Sequence, residues 1–303
     1  MEFKGARILV TGGSRGIGAA LARAYAAEGA EVVVAARSVV DLQAVADEVG
    51  GHAVVVDLSD PAAVEGLVPG VEANLGPIDV LVNNAGVETT DMAAVISPAD
   101  VRAATRVNLE APMVLTRYVL PGMLERGSGH IVYLSSIAGT SGFPSMATYC
   151  ATKAGINNFV ASLRMELKGS PIRTTLVAPG PVDTRMWDAV ENSSASTGRV
   201  VDRFNLLRLI PMADPDRLAR RVVRATARRT RHVRTPRRLS VNFMLGEAPQ
   251  RMTEGLLAGV RLDPTDTRPD GPWATPDGSD VLGQLPQSTQ HRGGLAAHRG
   301  HVQ

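Results

Sequence analysis

Cysteine is almost missing from the chain: 303 residues include one, Cys150, so no disulfide can form within it. One thiol fits a reducing compartment, and we expect a cytoplasmic protein. Aromatic residues make up 4% of the chain, which argues against a surface on which nucleic-acid bases stack. The formal net charge of +2 is too small to indicate a nucleic-acid partner.

Long apolar runs are missing as well. No window approaches the run of about 18 apolar residues expected of a membrane-spanning helix. The apolar stretch within residues 1–13 is too short for a signal peptide. With 44% hydrophobic and 20% charged residues, the composition is typical of a globular protein with a substantial core. We identify no metal-binding motif.

Short apolar runs alternate with segments of helical periodicity. The runs lack the polar alternation of half-exposed strands and lie within residues 6–13, 31–37, 52–60, 78–86, 129–139 and 172–182. Continuous apolar strands separated by helices are typical of a parallel sheet covered on both faces. We therefore predict an α/β protein with a doubly wound parallel sheet of the Rossmann type in a single domain.

This pattern weakens after residue 184. Residues 187–210 mix Ser, Thr and Asn with apolar side chains, and we interpret them as a lid over a substrate site. From residue 262 onwards Pro, Gly, Asp, Gln and Ser dominate without periodicity, which predicts a disordered tail over residues 262–303. The predicted domain therefore spans residues 1–261.

A glycine-rich loop, TGGSRGIG, joins the first strand to the first helix. Glycines let the backbone approach a pyrophosphate, which rests at the positive end of the helix. The alternative is a turn that only connects two elements. The position between strand and helix favours a dinucleotide site, formed by Gly12, Ser14, Arg15, Gly16, Ile17 and Gly18.

Two arginines indicate which dinucleotide binds. A carboxylate after the second strand suits the ribose 2′-hydroxyl of NAD, whereas an arginine suits the 2′-phosphate of NADP. Arg37 occupies that position and Arg15 lies in the glycine loop, so we predict NADP(H) in preference to NAD(H); the alternative is two solvated surface charges. Asp57, at the end of the third strand, could bind the adenine amino group or cap the helix beginning near Pro61.

Further motifs follow the glycine loop in order: NNAG, RVNLEA, LSSIAG, YCATK and PGPVDT. Together these motifs resemble the short-chain dehydrogenase/reductase family over about residues 5–185. The resemblance implies reversible hydride transfer between a nicotinamide and a carbonyl or secondary alcohol, in a homodimer or homotetramer. It also makes residues 187–260 the variable, substrate-determining part.

The resemblance implies a role for each of four side chains. Tyr149 exchanges a proton with the substrate oxygen, and Ser136 holds that oxygen. Lys153, one helical turn from Tyr149, lowers the pKa of the phenol and holds the nicotinamide ribose. Asn108 belongs to a water chain that relays the proton; its alternative is a helix-kinking or capping residue. Ser135 points to the opposite face of its strand.

Other motif residues are expected to contact the cofactor. Asn83 shapes the site with the following turn, and Val182 and Thr184 contact the nicotinamide carboxamide. The full set adds Asp57, Leu58, Asn84, Ala85, Gly86, Pro179 and Gly180. Another hypothesis is a non-catalytic nucleotide-binding regulator or scaffold on the same fold. An intact set of four catalytic side chains argues against it.

The substrate is indicated only by apolar side chains in the predicted lid. These favour a lipid, steroid or polyketide-like ketone, and are Met186, Trp187, Phe204, Leu206, Leu207 and Leu209. Such side chains also close subunit interfaces, which is the alternative interpretation.

Residues 217–238 contain ten arginines and no acidic residue. Such a segment could contact nucleic acid or an anionic membrane surface. Helical spacing places Leu218, Val222 and Ala225 on one side, which predicts a solvated helix with a buried stripe. We favour that interpretation over peripheral membrane contact, and we expect no nucleic-acid partner.

Overall fold

A parallel sheet forms the centre of the protein, and the computed structural model describes residues 1–184 and 212–235. Within those residues it has seven strands in the order β3-β2-β1-β4-β5-β6-β7. They are β1 (Arg7–Thr11), β2 (Glu31–Ala36), β3 (His52–Val55), β4 (Val80–Asn83), β5 (His130–Leu134), β6 (Arg173–Pro179) and β7 (His232–Thr235). The strand order reverses between β1 and β4, where such sheets bind ligands beyond their carboxyl ends. The predicted doubly wound sheet is confirmed.

Helices cover both faces of the sheet. Those on one face are α1 (Gly16–Ala26), α2 (Val39–Val49) and α7 (Pro215–Ala227). Those on the other are α3 (Pro61–Leu75), α5 (Ala111–Glu125) and α6 (Ala147–Glu166). Helix α4 (Pro98–Thr105) leads into α5 through a π-helical turn, Arg106–Glu110. Alternate residues of each buried strand contribute to the two cores: Ile8 and Val10 to one, Leu9 to the other.

The arginine-rich segment forms both a helix and a strand. In α7, Leu218, Val222 and Ala225 are buried with residues of α1, as helical spacing predicts. Strand β7 was not predicted, because three of its four residues, His232, Arg234 and Thr235, are not apolar. In the part of the chain that the structure describes, no helix is both long and apolar enough to cross a membrane. The predicted lid and tail lie outside the described residues.

His130 is the first residue of β5, and its side chain is buried. Its Nε2 lies 2.8 Å from Thr175 Oγ1, and that hydroxyl donates to Thr230 O at 2.7 Å. Because the hydroxyl proton is already used, His130 Nε2–H is the donor, which assigns the tautomer of the neutral ring. Burial, reinforced by the positive charge of Arg229, lowers the pKa of His130 to about 3.

This buried imidazole makes the fold sensitive to acid. Below pH 6.5, the usual pKa of histidine, His130 is protonated in the unfolded chain but stays neutral in the folded chain down to about pH 3. The free energy of unfolding therefore falls as pH falls through this range. We expect His130→Gln to reduce the pH dependence of the unfolding free energy in this range by up to about 1.4 kcal/mol per pH unit. Urea unfolding at several pH values measures it. His52→Gln, at an exposed histidine, is the control. An unchanged slope in His130→Gln would contradict the prediction.

Candidate active site

The glycine loop leaves β1 and packs directly against the turn that follows β4. Gly12 and Gly16 have positive φ angles of 64° and 55°, which side chains rarely adopt. A Cβ at Gly12 would lie 2.8 Å from Ala85 Cα, and one at Gly18 would lie 2.1 Å from Gly12 O. Side chains are thus excluded at Gly12 and Gly18, and backbone N–H groups at the start of α1 remain open to a phosphate.

Two polar side chains brace this loop. Thr11 Oγ1 accepts hydrogen bonds from the backbone N–H groups of Asn84 and Ala85, both at 3.1 Å. Asn84 Nδ2 donates to Thr11 O at 2.9 Å and to Gly12 O at 3.2 Å. Asn84 therefore acts on the predicted cofactor site by holding its backbone. Thr11 was missed by the sequence analysis; its signal was a hydroxyl at the end of a buried strand.

Asn108 lies in the π-helical turn between α4 and α5 and is buried. Its Oδ1 accepts from Val87 N at 2.8 Å, and its Nδ2 donates to Val87 O at 2.7 Å and to Thr152 Oγ1 at 3.2 Å. One amide thus clamps both backbone groups of Val87 and reaches α6. The residue occupies a helix irregularity, as its alternative interpretation held, and π-helical turns are frequent at functional sites.

Ser136, Tyr149 and Lys153 come together beyond the carboxyl end of β5. The hydroxyl of Ser136 lies near the phenol of Tyr149 and favours its ionised form. Lys153 Nζ lies 5.6 Å from the centre of the Tyr149 ring and donates to Leu134 O at 3.0 Å. Ser135 points elsewhere, donating to Asn157 Oδ1 at 2.6 Å. The spacing of Tyr149 and Lys153 therefore reflects two buried neighbours on one helix face rather than a solvated lysine.

Burial dominates the electrostatics of this pair. It raises the pKa of Tyr149 to about 12; the nearby hydroxyl of Ser136 opposes the shift, while the charge of Glu88 adds to it. Burial lowers the pKa of Lys153 to about 8. The pKa of Tyr149 is therefore raised overall, opposite to the lowering expected from Lys153, because burial outweighs the other effects. The ammonium lies over the ring and bonds to Leu134 O, and it is itself desolvated.

The predicted adenine end of the site lies beyond β2 and β3. Arg37 is exposed, and its Nη1 lies 4.0 Å from Asp57 Oδ2. Asp57 accepts from Ser59 N at 2.9 Å and from Ser59 Oγ at 2.8 Å. The suggestion that Asp57 caps the next helix is wrong, because Asp60 is the N-cap of α3. Asp57 also lies two residues beyond β3 rather than at its end.

Leu58 differs from its neighbours in the predicted set. It is buried among the apolar side chains beneath α3 and α5. Its side chain therefore contributes to the core, and the predicted cofactor contact of Leu58 stays a prediction. Arg15, by contrast, is exposed at the N-cap of α1, beside Ser14, Gly16 and Ile17.

The turn after β6 closes the arrangement. Pro179 ends the strand, and Gly180 N donates to Thr235 O at 2.7 Å. Val182 is buried and pairs with Ala213. A Cβ at Gly16 would lie 3.2 Å from Thr184 Cγ2, so this turn meets the glycine loop. The predicted motifs thus gather at the carboxyl ends of the strands.

The comparisons with known proteins agree with this geometry. The model of the family described as short chain dehydrogenase matches residues 6–195. The chain belongs to the short-chain dehydrogenase family.

Two curated members of the family are similar to this dehydrogenase. The ketoacyl reductase HetN of Nostoc sp. is 37% identical over 235 residues, covering 76% of this chain and 78% of that protein. The 3-oxoacyl-[acyl-carrier-protein] reductase FabG of Escherichia coli is 35% identical over 194 residues, covering 63% and 80%.

Solved structures give the same result. A metagenomic short-chain oxidoreductase in complex with NADP is 42% identical, with a TM-score of 0.57, covering 59% of this chain and 84% of that one. A short chain dehydrogenase/reductase family protein is 29% identical, with a TM-score of 0.66, covering 77% and 97%.

As a member of this family, the dehydrogenase is an oxidoreductase that acts on carbonyl or CH–OH groups of small molecules with NAD(P). Its own residues fit such a cofactor. The glycine positions form a cradle that any Cβ would fill. Within the described residues, Lys153 Nζ makes one hydrogen bond, so two of its three N–H groups remain for a ligand.

Proposed function

We propose that this dehydrogenase is NADP-dependent and transfers a hydride reversibly between the nicotinamide and a carbonyl or secondary alcohol carbon. The observation that carries the proposal is the buried pair of Tyr149 and Lys153, with Lys153 Nζ 5.6 Å from the centre of the phenol ring and Ser136 beside the phenol. Within this function, NADP(H) supplies or accepts the hydride. The non-catalytic alternative has no support, since all four side chains proposed for catalysis are present and gathered.

The proposed roles follow from the contacts of each side chain. At neutral pH the raised pKa of Tyr149 keeps the phenol protonated. Its hydroxyl group can therefore donate a proton to the substrate oxygen during reduction. Ser136 Oγ, near that phenol, holds the substrate oxygen. Lys153, with a pKa of about 8, is mostly charged at neutral pH. It stabilises the tyrosinate that forms and holds ribose hydroxyls.

The remaining residues position and close the site. Asn108 fixes the backbone at Val87 and links it to α6, where it supports the proposed proton relay. We propose that residues of the glycine loop hold the phosphates, that Ala85 and Gly86 lie against the nicotinamide half, and that Val182 and Thr184 contact the carboxamide. Residues 1–261 form the proposed catalytic domain and residues 262–303 the proposed tail.

Two observations support the proposed class of substrate. Relatives are named as reductases of ketoacyl and 3-oxoacyl groups. Apolar residues of the predicted lid favour a lipid, steroid or polyketide-like ketone. We propose such a ketone as substrate, in a cytoplasmic homodimer or homotetramer. NADPH consumption with a panel of ketones and aldehydes, repeated with NADH, tests this function; no turnover with any of them would reject it.

Arg37 provides the test of cofactor preference. A guanidinium that binds the 2′-phosphate forms charge-assisted hydrogen bonds that NADH cannot make. We expect Arg37→Ala to raise KM for NADPH by about 10- to 100-fold and to change KM for NADH by less than about threefold. Steady-state kinetics with both cofactors measure this. Arg117→Ala, at an exposed arginine of α5, is the control. Equal effects on both cofactors would overturn the assignment.

A further inference from the structure

Glu88 is a half-buried carboxylate in the segment between β4 and α4. The backbone on its N-terminal side is fixed, because Asn108 bonds both polar backbone groups of Val87. Two residues earlier, a Cβ at Gly86 would lie 3.5 Å from Lys153 Nζ. Glu88 is therefore held at the edge of the Tyr149–Lys153 pair.

The charge of Glu88 acts on the reacting end of the site. It raises the pKa of Tyr149, so the carboxylate lies close enough to disfavour the tyrosinate. Burial raises the pKa of Glu88 itself, and hydrogen bonding from its own backbone N–H and the positive charge of Arg15 partly oppose that rise. The charge of Glu88 therefore acts on the phenol of Tyr149 and is itself influenced by Arg15 of the glycine loop.

Glu88 also has no charged partner at contact distance. The ion pairs within residues 1–184 and 212–235 are Arg7–Glu31, Arg23–Glu48 and Arg37–Asp57. A carboxylate that is partly withdrawn from water carries a desolvation cost, which its own backbone N–H and the positive charge of Arg15 offset only in part. Because its charge also hinders formation of the tyrosinate, the proton transfer itself gives no reason for a carboxylate here.

We propose that Glu88 determines substrate specificity, its carboxylate accepting a hydrogen bond from a hydroxyl or amino group next to the reacting carbon. This rests on the proposed function and narrows its substrate class to hydroxy- or amino-ketones and the corresponding diols or amino alcohols. The apolar part of the substrate lies elsewhere in the site. A donor bound to Glu88 satisfies the carboxylate and reduces its repulsion of the tyrosinate.

Matched substrates test the proposal. The measurement is kcat/KM with NADPH for a hydroxy-ketone, the corresponding amino-ketone and the O-methyl ether of the hydroxy-ketone. We expect the wild-type enzyme to prefer the donor-bearing ketones to the ether by about 10- to 100-fold, the value of a hydrogen bond to a charged group. In Glu88→Leu this ratio falls to within about threefold of unity. Glu88→Gln, which keeps an acceptor oxygen, retains part of the preference for the hydroxy-ketone.

The amino-ketone identifies the donor. If kcat/KM is higher for the amino-ketone than for the hydroxy-ketone, and this difference is lost in Glu88→Gln, the substrate group that binds Glu88 is an ammonium. Equal values of kcat/KM for the two ketones identify a neutral donor. Asp91→Asn is the control, because it removes the same charge from an exposed position three residues away. Its substrate ratio should match wild type. Fluorescence titration with NADPH verifies that each variant is folded and binds cofactor.

Two results would overturn the role of Glu88: no preference in the wild-type enzyme, or an equal loss for all three ketones in Glu88→Leu. Failure of the proposed function is separate, since it shows as no NADPH consumption with any ketone or aldehyde. Calorimetric binding of the diol and its monomethyl ether to the NADP complex tests Glu88 without turnover. Equal affinities in that experiment would also reject the proposal.

Discussion

Tyr149→Phe is expected to lower kcat for ketone reduction by about 10²- to 10⁴-fold, the usual contribution of a positioned general acid. The substitution removes the phenolic oxygen and leaves the buried ring, which packs beside Lys153 with 5.6 Å between Nζ and the ring centre. Because the remaining ring is unchanged in shape, the affinity for NADPH should stay within about threefold of wild type.

The two measurements separate chemistry from binding. Single-turnover kinetics report the reduction step, and fluorescence titration reports NADPH affinity. Tyr118→Phe is the matched control, since it removes the same hydroxyl from an exposed side chain on α5. Near-normal turnover in Tyr149→Phe would show that another group donates the proton. A parallel loss of NADPH affinity would indicate a structural role for the hydroxyl.

The sequence predicts the sheet well because its strands are buried on both faces. Continuous apolar runs such as ILV in β1 and VVV in β2 have no other simple interpretation in an alternating α/β chain. Strand β7 lacks that signal, since it is short and carries His232 and Arg234. Its strand structure depends on pairing with β6, which its own residues do not indicate.

The motifs of the candidate site were predicted, but their interactions were not. The hydrogen bonds of Asn84 to β1 and of Asn108 to Val87 join segments far apart in sequence. The direction of the Tyr149 pKa shift depends on burial, which spacing along a helix does not give. Glu88 follows the NNAG motif, but a glutamate in a loop is usually exposed. Its effect on the site is therefore visible only from its burial and its neighbours in the structure.

Gly18→Ala is expected to have a large effect on cofactor binding, although Gly18 is not one of the four side chains proposed for catalysis. A Cβ at this position would lie 2.1 Å from Gly12 O and 2.5 Å from Asn84 Nδ2. Both atoms belong to the brace that shapes the glycine loop, because Asn84 donates to Gly12 O. The backbone of the loop must therefore move, and its phosphate-binding geometry with it.

The expected size follows from the cost of inserting an atom into packed backbone. Overpacking of this kind costs about 1–3 kcal/mol of unfolding free energy. Displacement of the loop should weaken NADPH binding by about 100-fold or more, as expected when several hydrogen bonds to charged phosphate groups are lost together. Urea unfolding and NADPH titration measure the two effects.

Gly66→Ala is the matched control because the same atom is added to another helix, α3, where a Cβ would meet nothing within 4 Å. Alanine is the better helix former, so this variant should gain about 0.5–1 kcal/mol and bind NADPH normally. Gly18 also lies in a helix, and helix propensity alone predicts the same gain there. If the free energy of unfolding falls in Gly18→Ala and rises in Gly66→Ala, close packing of the glycine loop, rather than backbone flexibility, requires glycine at position 18. Equal stabilisation of both variants would contradict the proposed cradle.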